Sequence, residues 1–329
     1  MNVEDIFDQF TKKRVLVIGD VMIDAYLRGD VTRISPEAPV PIINLRKSED
    51  RLGGAANVAL NLLSLGAEPI LCAVIGEDDG AQKFNELLSK RGMSDVGMIK
   101  SSDRQTTIKT RVIGNNQHLL RIDEEVTSPL KRDEEDALIS KAKYLINEGV
   151  DAVILEDYNK GLLTVRVIEA VIAAANEKNV IITVDPKLDN FLAYKNVTLF
   201  KPNLKELKEG LNVNFDISTE RDKFEGAIDE LEQQLGNQIS FVTLSEHGVF
   251  VKEGNQKDFI PAHIRNIADV SGAGDTVISV ATLCLCVGLR PKEVAEIANL
   301  SGGIVCEVSG VIPIDKQQLM EEVRKIVLA

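Results

Sequence analysis

Short runs of continuous apolar residues recur along the chain at residues 14–19, 69–76, 152–155, 180–184 and 240–244, most of them rich in valine and isoleucine. Such runs, without polar alternation, suit strands of a sheet covered on both faces, as parallel sheets are. Helix-period stretches lie between them. One places Thr164 as an N-cap before Val165, Val167, Ile168, Val171 and Ile172, and another starts with the acids Asp133, Glu134 and Glu135. The alternation predicts a doubly wound α/β fold, a mainly parallel sheet with helices on both faces.

Two segments break that rhythm. Residues 31–45 hold prolines and polar turns amid short extended pieces, and residues 106–122 alternate like a hairpin, with Ile108, Thr110 and Val112 on one face and Lys109 and Arg111 on the other. They predict a small antiparallel sheet, a lid made of residues 29–46 and 105–123, covering a cleft in a single domain that spans residues 1–329.

Composition and charge narrow the partners. Thirty-eight Lys and Arg against 51 Asp and Glu give a formal charge of -13, which argues against a surface built to neutralise nucleic-acid phosphates. Any anion must therefore be bound locally. Cys72, Cys284, Cys286 and Cys306 sit in apolar runs with no histidine at metal-ligand spacing, and read as buried thiols of a reducing compartment. The first residues carry acid where a signal peptide needs base. The longest nearly apolar run, residues 277–289, is shorter than the roughly 20 residues of a membrane helix. The expectation is a cytoplasmic protein with no membrane partner.

The most informative stretch is Asp269-Val270-Ser271-Gly272-Ala273-Gly274-Asp275-Thr276, directly before an apolar helix. Small residues let backbone N–H groups crowd the helix N-terminus, where unpaired donors and the macrodipole favour an anion. Asp275 at that mouth can take a proton from an attacking hydroxyl, the pairing that phosphoryl transfer requires. A Gly-rich turn with Asp275 as a mere helix-start acid is the competing reading. No Walker motif and no Gly-x-Gly-x-x-Gly occurs.

This segment resembles the second signature of the ribokinase (PfkB) family of carbohydrate kinases, and Gly53-Gly54-Ala55-Ala56-Asn57 resembles the first. The resemblance implies a ribokinase-like fold. It implies Asp275 as catalytic base, Gly272, Ala273 and Gly274 as the anion hole, and Gly53, Gly54 and Asn57 as sugar contacts. Asn203-Leu204-Lys205-Glu206 is similar to the family's Asn-x-x-Glu element, which helps organise magnesium and the ATP phosphates, Glu206 indirectly. Residues 243–248 resemble the turn beside those phosphates, with Thr243, Ser245, Glu246 and Gly248 as contacts, and Asn299 matches a position that faces adenine. His247 is a turn residue. The chain departs from the family at residues 306–311, so a monovalent-cation site there is left open.

Less generic segments, residues 29–41, 106–125, 156–161 and 184–187, resemble one branch, the bacterial heptose-7-phosphate kinases. This implies transfer of the ATP γ-phosphate to the C1 hydroxyl of D-glycero-D-manno-heptose 7-phosphate, giving the 1,7-bisphosphate for ADP-heptose and lipopolysaccharide-core synthesis. It also implies a homodimer through the lid and a later adenylyltransferase on another polypeptide. A phosphorylated sugar needs cations, and Arg51, Arg104, Lys109, Arg111, Arg121, Lys160 and Lys187 are the candidates near sugar-side motifs. Asp24, Asn57, Asp157 and Asp185 suit ring hydroxyls. A kinase for a fructose phosphate or a pentose, and a non-catalytic sugar-phosphate sensor, are the alternatives.

Overall fold

A computed structural model describes residues 2–263 and 265–327. Its strands are β1 (Arg14–Gly19), β2 (Val21–Ile34), β3 (Pro41–Gly54), β4 (Glu68–Gly76), β5 (Gly97–Ser101), β6 (Ile108–Gly114), β7 (Gln117–Glu124), β8 (Ala152–Glu156), β9 (Ile181–Asp185), β10 (Leu199–Phe200), β11 (Ile239–Thr243), β12 (Val249–Glu253) and β13 (Gln256–Ile260). The main sheet runs β13-β12-β11-β10-β9-β8-β1-β4-β5. From β5 through β11 every pair is parallel, and β12 and β13 add an antiparallel edge. The apolar runs of the sequence became β1, β4, β8, β9 and β11. Two-residue β10 is too short to show a pattern, and β13, Gln-Lys-Asp-Phe-Ile at the sheet edge, carries no continuous apolar run.

The helices are α1 (Val3–Phe10), α2 (Ala55–Ser64), α3 (Asp79–Lys90), α4 (Arg132–Asn147), α5 (Val165–Glu177), α6 (Leu204–Gly210), α7 (Arg221–Leu235), α8 (Ala273–Cys286), α9 (Pro291–Val305) and α10 (Lys316–Val327). Helices α4 and α5 pack together on one face of the sheet, and α2 and α8 pack together on the other. Every residue of α8 from Asp275 to Cys284 is buried, because α2, α9 and the sheet enclose it. Its continuous apolar run is thus a core helix. Among the described residues no helix is long and apolar enough to cross a membrane.

The lid is a separate sheet in the order β3-β2-β6-β7. It is mixed rather than antiparallel, since β2 and β6 pair in parallel while β2–β3 and β6–β7 are antiparallel. A long crossover through β3, α2, β4, α3 and β5 separates β2 from β6, so no local pattern encodes their direction. The lid strands also begin and end further in than residues 29–46. Val21–Tyr26 and Leu52–Gly54 are buried and root the lid in the core. The β6–β7 turn uses Asn115 and Asn116 at φ 51° and 63°, the left-handed pair that a tight hairpin favours.

Strand order reverses between β1 and β8, the switch point where open α/β sheets place ligands at strand C-termini. Asp20, just past β1, accepts N–H bonds from Tyr158 (2.9 Å), Lys160 (3.1 Å) and Leu162 (3.3 Å), tying down the loop after β8. Burial, then the charge of Asp157, pushes the Asp20 carboxyl up to about 6.

Candidate active site

Asp275 lies in the first turn of α8, buried, with Gly272 capping that helix at φ 81°. Only a residue without Cβ takes that φ freely, and a Cβ there would sit 3.0 Å from Asn57 Nδ2. Asn57 comes from the first signature and opens α2, and its Nδ2 donates to Asp275 Oδ2 at 2.7 Å. Tyr158, from the loop after β8, donates its hydroxyl to Asp275 Oδ1 at 2.7 Å. The two signatures are stitched further along their helices. Thr276 Oγ1 donates to Asn61 Oδ1 at 3.1 Å, and Ser279 Oγ to the Val58 carbonyl at 3.2 Å. Burial raises the Asp275 carboxyl above the ordinary aspartate range, while the Asn57 and Tyr158 hydrogen bonds pull it back. The N–H groups of the first helical turn have no intrahelical acceptor. Gly272, Ala273 and Gly274 bring this helix start beside the carboxylate, with the Ala273 N–H donating to the Val270 carbonyl at 3.3 Å.

The floor of the cleft is a run of charged strand ends. Lys201, buried just past β10, pairs with Asp185 at the end of β9, 2.7 Å apart. Gly274 abuts that pair, since a Cβ on it would lie 3.4 Å from Asp185 Oδ2. Glu156, ending β8, is fully buried with Oε2 unpartnered. Burial, then the charges of Asp185 and Asp275, raises its carboxyl well above the usual range. Asp157 is fixed by the Tyr194 hydroxyl at 2.7 Å and the Asn159 N–H at 2.8 Å, which makes it a support of the loop.

On the nucleotide side, Asn203 and Glu206 form a capping box on α6: Asn203 Oδ1 accepts the Glu206 N–H and Glu206 Oε2 accepts the Asn203 N–H, both at 2.8 Å. Lys187 donates to Glu206 Oε1 at 2.5 Å and stands 3.8 Å from Asp185. Both of its partners are acids of the cleft, Glu206 of α6 and Asp185 at the end of β9. Asn203, Leu204, Lys205 and Ser245 line a cavity of about 770 Å³. Thr243 bridges to Asn203, and Glu246 borders an adjoining hollow with His247. Gly248 turns the chain at φ 87°, where a Cβ would meet the Ile260 carbonyl at 2.0 Å. Asn299 donates to the Pro261 carbonyl at 2.9 Å.

On the sugar side, Asp24 is buried on β2 opposite Arg51 of β3 and accepts from Arg111 of β6 at 2.5 Å. Gly53 must be glycine, because a Cβ would lie 2.2 Å from Asp24 Oδ2. Gly54, at φ 60°, passes the Asp20 carbonyl in the same way. Arg28, Arg51 and Arg111 fan around the Tyr26 ring at 5.4, 5.2 and 5.3 Å respectively. Arg104, in contrast, donates to the carbonyls of Ser128, Val126 and Lys160 at 2.8, 3.0 and 2.6 Å, and braces loops. Lys109 and Lys160 share Glu125, each at 2.8 Å, and Arg121 pairs with Asp123 on the exposed strand β7. Sequence reasoning did not single out Lys201, Glu156, Tyr158 or Tyr26 as site residues. The signal for Lys201 was a lone lysine ending the strand-like run before Asn203, and Tyr158 lay within the quoted segment 156–161.

A buried carboxylate at a glycine-rich helix N-terminus, at the strand C-termini of a doubly wound sheet and beneath a β lid, defines a phosphotransferase with a ribokinase-like fold. A profile of the pfkB family carbohydrate kinases matches residues 12–317, and the chain belongs to that family. It is a carbohydrate kinase. The bifunctional protein HldE of Helicobacter pylori (strain ATCC 700392 / 26695) is 39% identical over 293 residues, 89% of this chain and 63% of that protein. The bifunctional protein HldE of Methylobacillus flagellatus is 36% identical over 310 residues, 94% of this chain and 63% of that one. The chain thus spans less than two thirds of the length of these curated relatives. In fold it is similar to phosphofructokinase-2 from Escherichia coli in complex with potassium, with TM-score 0.78, 18% identity, and 95% and 99% of the two chains covered. It is also similar to ribokinase from Thermotoga maritima, with TM-score 0.66, 20% identity and the same coverage.

Proposed function

We propose that this carbohydrate kinase phosphorylates the C1 hydroxyl of D-glycero-D-manno-heptose 7-phosphate from ATP, yielding ADP and the 1,7-bisphosphate used in ADP-heptose synthesis. The observation that carries the chemistry is Asp275, buried and held on both oxygens at the N-terminus of α8. Asp275 takes the hydroxyl proton as that oxygen bonds to the γ-phosphorus, and the bond to the β–γ bridging oxygen breaks to release ADP. The amides of Gly272, Ala273 and Gly274 stabilise charge on the transferring group. Lid closure over the sugar excludes water.

Glu206 fits a magnesium ion reached through water, because both of its oxygens already accept protein donors and magnesium keeps several waters. Among the described residues no cluster of His, Cys, Asp and Glu could hold a metal on its own, which suits an ion that takes most of its ligands from nucleotide phosphates. When bound, that ion neutralises charge on the phosphates.

Likeness to HldE proteins along most of this chain supports the heptose reading. So does the arginine fan at Tyr26 beside Asp24, a cationic end for an acceptor that already carries a phosphate. Gly53, Asn57 and Asp24 face the ring hydroxyls in this reading. Ile34, Leu45, Leu120 and Ile122, exposed on the lid, support pairing of two lids in a homodimer. Light scattering tests that assembly. The buried thiols fit a cytoplasmic setting, and adenylyl transfer to the product is assigned to residues outside this domain.

A panel of heptose 7-phosphate, fructose 6-phosphate, ribose and fructose, assayed for ADP release with magnesium ATP in potassium and in sodium salts, tests the reading. Turnover confined to neutral sugars overturns the sugar-phosphate assignment. Asp275→Asn is expected to fold and to lose turnover by orders of magnitude.

A further inference from the structure

Asp275 is buried beside other acids, and burial raises its carboxyl above the ordinary aspartate range, so the groups around it decide how readily it ionises. The groups facing it are Asn57 from α2, Tyr158 and Glu156 from the end of β8, Asp185 from the end of β9, and Lys201 from the segment after β10. Asp185 disfavours its charge. Lys201 favours it, but is already paired with Asp185. Direct support for the ionised form comes from two donors, one on each oxygen: Asn57 Nδ2 and the Tyr158 hydroxyl, both at 2.7 Å.

We infer that Tyr158 is a positioning residue of the reaction: its hydroxyl holds the Asp275 carboxylate ionised and oriented, with one lone pair on each oxygen taken by a donor and the other left for the acceptor hydroxyl. This rests on Asp275 being the base. The phenol is well placed for the task. Its backbone N–H is anchored to Asp20 Oδ2 at 2.9 Å, and the Lys187 ammonium stands 5.8 Å from its ring centroid. Burial, then the charge of Asp275, raises the phenol well above its ordinary range, so it remains a donor throughout the working pH range. An ionised carboxylate offers about four acceptor sites, and the protein occupies two of them.

The test is the pH profile of kcat/KM for the acceptor that supports turnover, measured for the wild type, Tyr158→Phe and Asp275→Asn. Tyr158→Phe is expected to move the acid limb up by roughly one pH unit and to cut turnover several-fold at neutral pH. Turnover should recover toward the wild type above the new limb. Asp275→Asn is expected to be inactive at every pH. An unmoved acid limb in Tyr158→Phe, with Asp275→Asn inactive, overturns the role of Tyr158 and leaves the base in place. An active Asp275→Asn enzyme overturns the base instead. Replacing all tyrosine with 3-fluorotyrosine, a stronger donor, provides an independent arm should Tyr158→Phe fail to fold. Of the four tyrosines only Tyr158 bonds to Asp275, so the limb should move down, and an unmoved or raised limb overturns the inference.

Discussion

Replacing Lys201 by methionine keeps most of the side chain's volume and removes its charge. Lys201 and Asp185 are 2.7 Å apart, with side chains 4% and 7% exposed, so water cannot take over from the lost ammonium. Removing one member of a buried pair costs about 3–5 kcal/mol, because the remaining charge is left uncompensated. Lys187 at 3.8 Å offers partial cover and places the expected loss near the low end, about 3 kcal/mol. For a chain of 329 residues, with an unfolding entropy of roughly 2.1 cal/mol/K per residue, that corresponds to a fall in Tm of about 4 °C. The loss should also move the acid limb of the kinase profile upward, since Lys201 opposes protonation of Asp275. Scanning calorimetry of Lys201→Met, Asp185→Asn and the double variant gives the coupling. The double variant should be more stable than Lys201→Met, because the stranded carboxylate is gone. A Lys201→Met protein within about 1 kcal/mol of wild type, or a double variant less stable than either single one, would refute the reasoning.

Two further outcomes separate supporting residues from binding ones. Asp20 sits near 6 in the folded protein, above its ordinary value, so the native state holds its proton more tightly than the unfolded chain does. Its contribution to stability is therefore full below about pH 4 and declines by up to roughly 3 kcal/mol as pH rises through 6. Asp20→Asn should flatten that slope in melts taken across this window, and identical slopes in the two proteins would contradict the assignment. Arg51→Gln is expected to raise KM for a phosphorylated sugar about tenfold with little change in KM for ATP, while Arg104→Gln should instead lower Tm, because its partners are three backbone carbonyls.

The central strands were legible because burial on both faces forces continuous apolar runs, as in Val15 to Ile18. The lid's mixed direction was not, because the parallel register of Ile23 with Ile108 joins strands far apart in the chain. The same distinction governs the site. Asp275 and Gly272 stand three positions apart in one short segment and declare a helix N-terminus. The partners of Asp275 come from positions 57 and 158, and no spacing rule connects them. Lysines were hardest to read, since a lysine looks the same whether solvated or buried. Lys201 is buried in the floor of the cleft, and Arg104, a sugar-side candidate in the sequence, is a brace.

The formal charge of -13 sharpens what the cleft must do for the two anionic substrates of the proposed reaction. The lysines nearest Asp275 do not supply free positive charge: Lys201 is matched by Asp185, and Lys187 by Glu206. The nucleotide phosphates must then be met chiefly by dipoles, the N–H groups at the start of α8, together with the ion that accompanies ATP. Backbone donors suit that role because their positions are set by the helix and need no reorganisation as charge develops. The free cationic character lies instead at the lid, where Arg28, Arg51 and Arg111 surround Tyr26 while Asp24 and Glu49 offset part of their charge. This division implies different salt responses. Binding that depends on the half-buried lid arginines should weaken with ionic strength, because charges still reached by solvent are screened within roughly 10 Å at 0.1 M salt. Transfer at the buried base and helix terminus should change far less. Raising salt should therefore increase KM for a phosphorylated sugar while leaving kcat nearly constant, and a parallel fall in kcat would place the screened charges at the reacting centre instead.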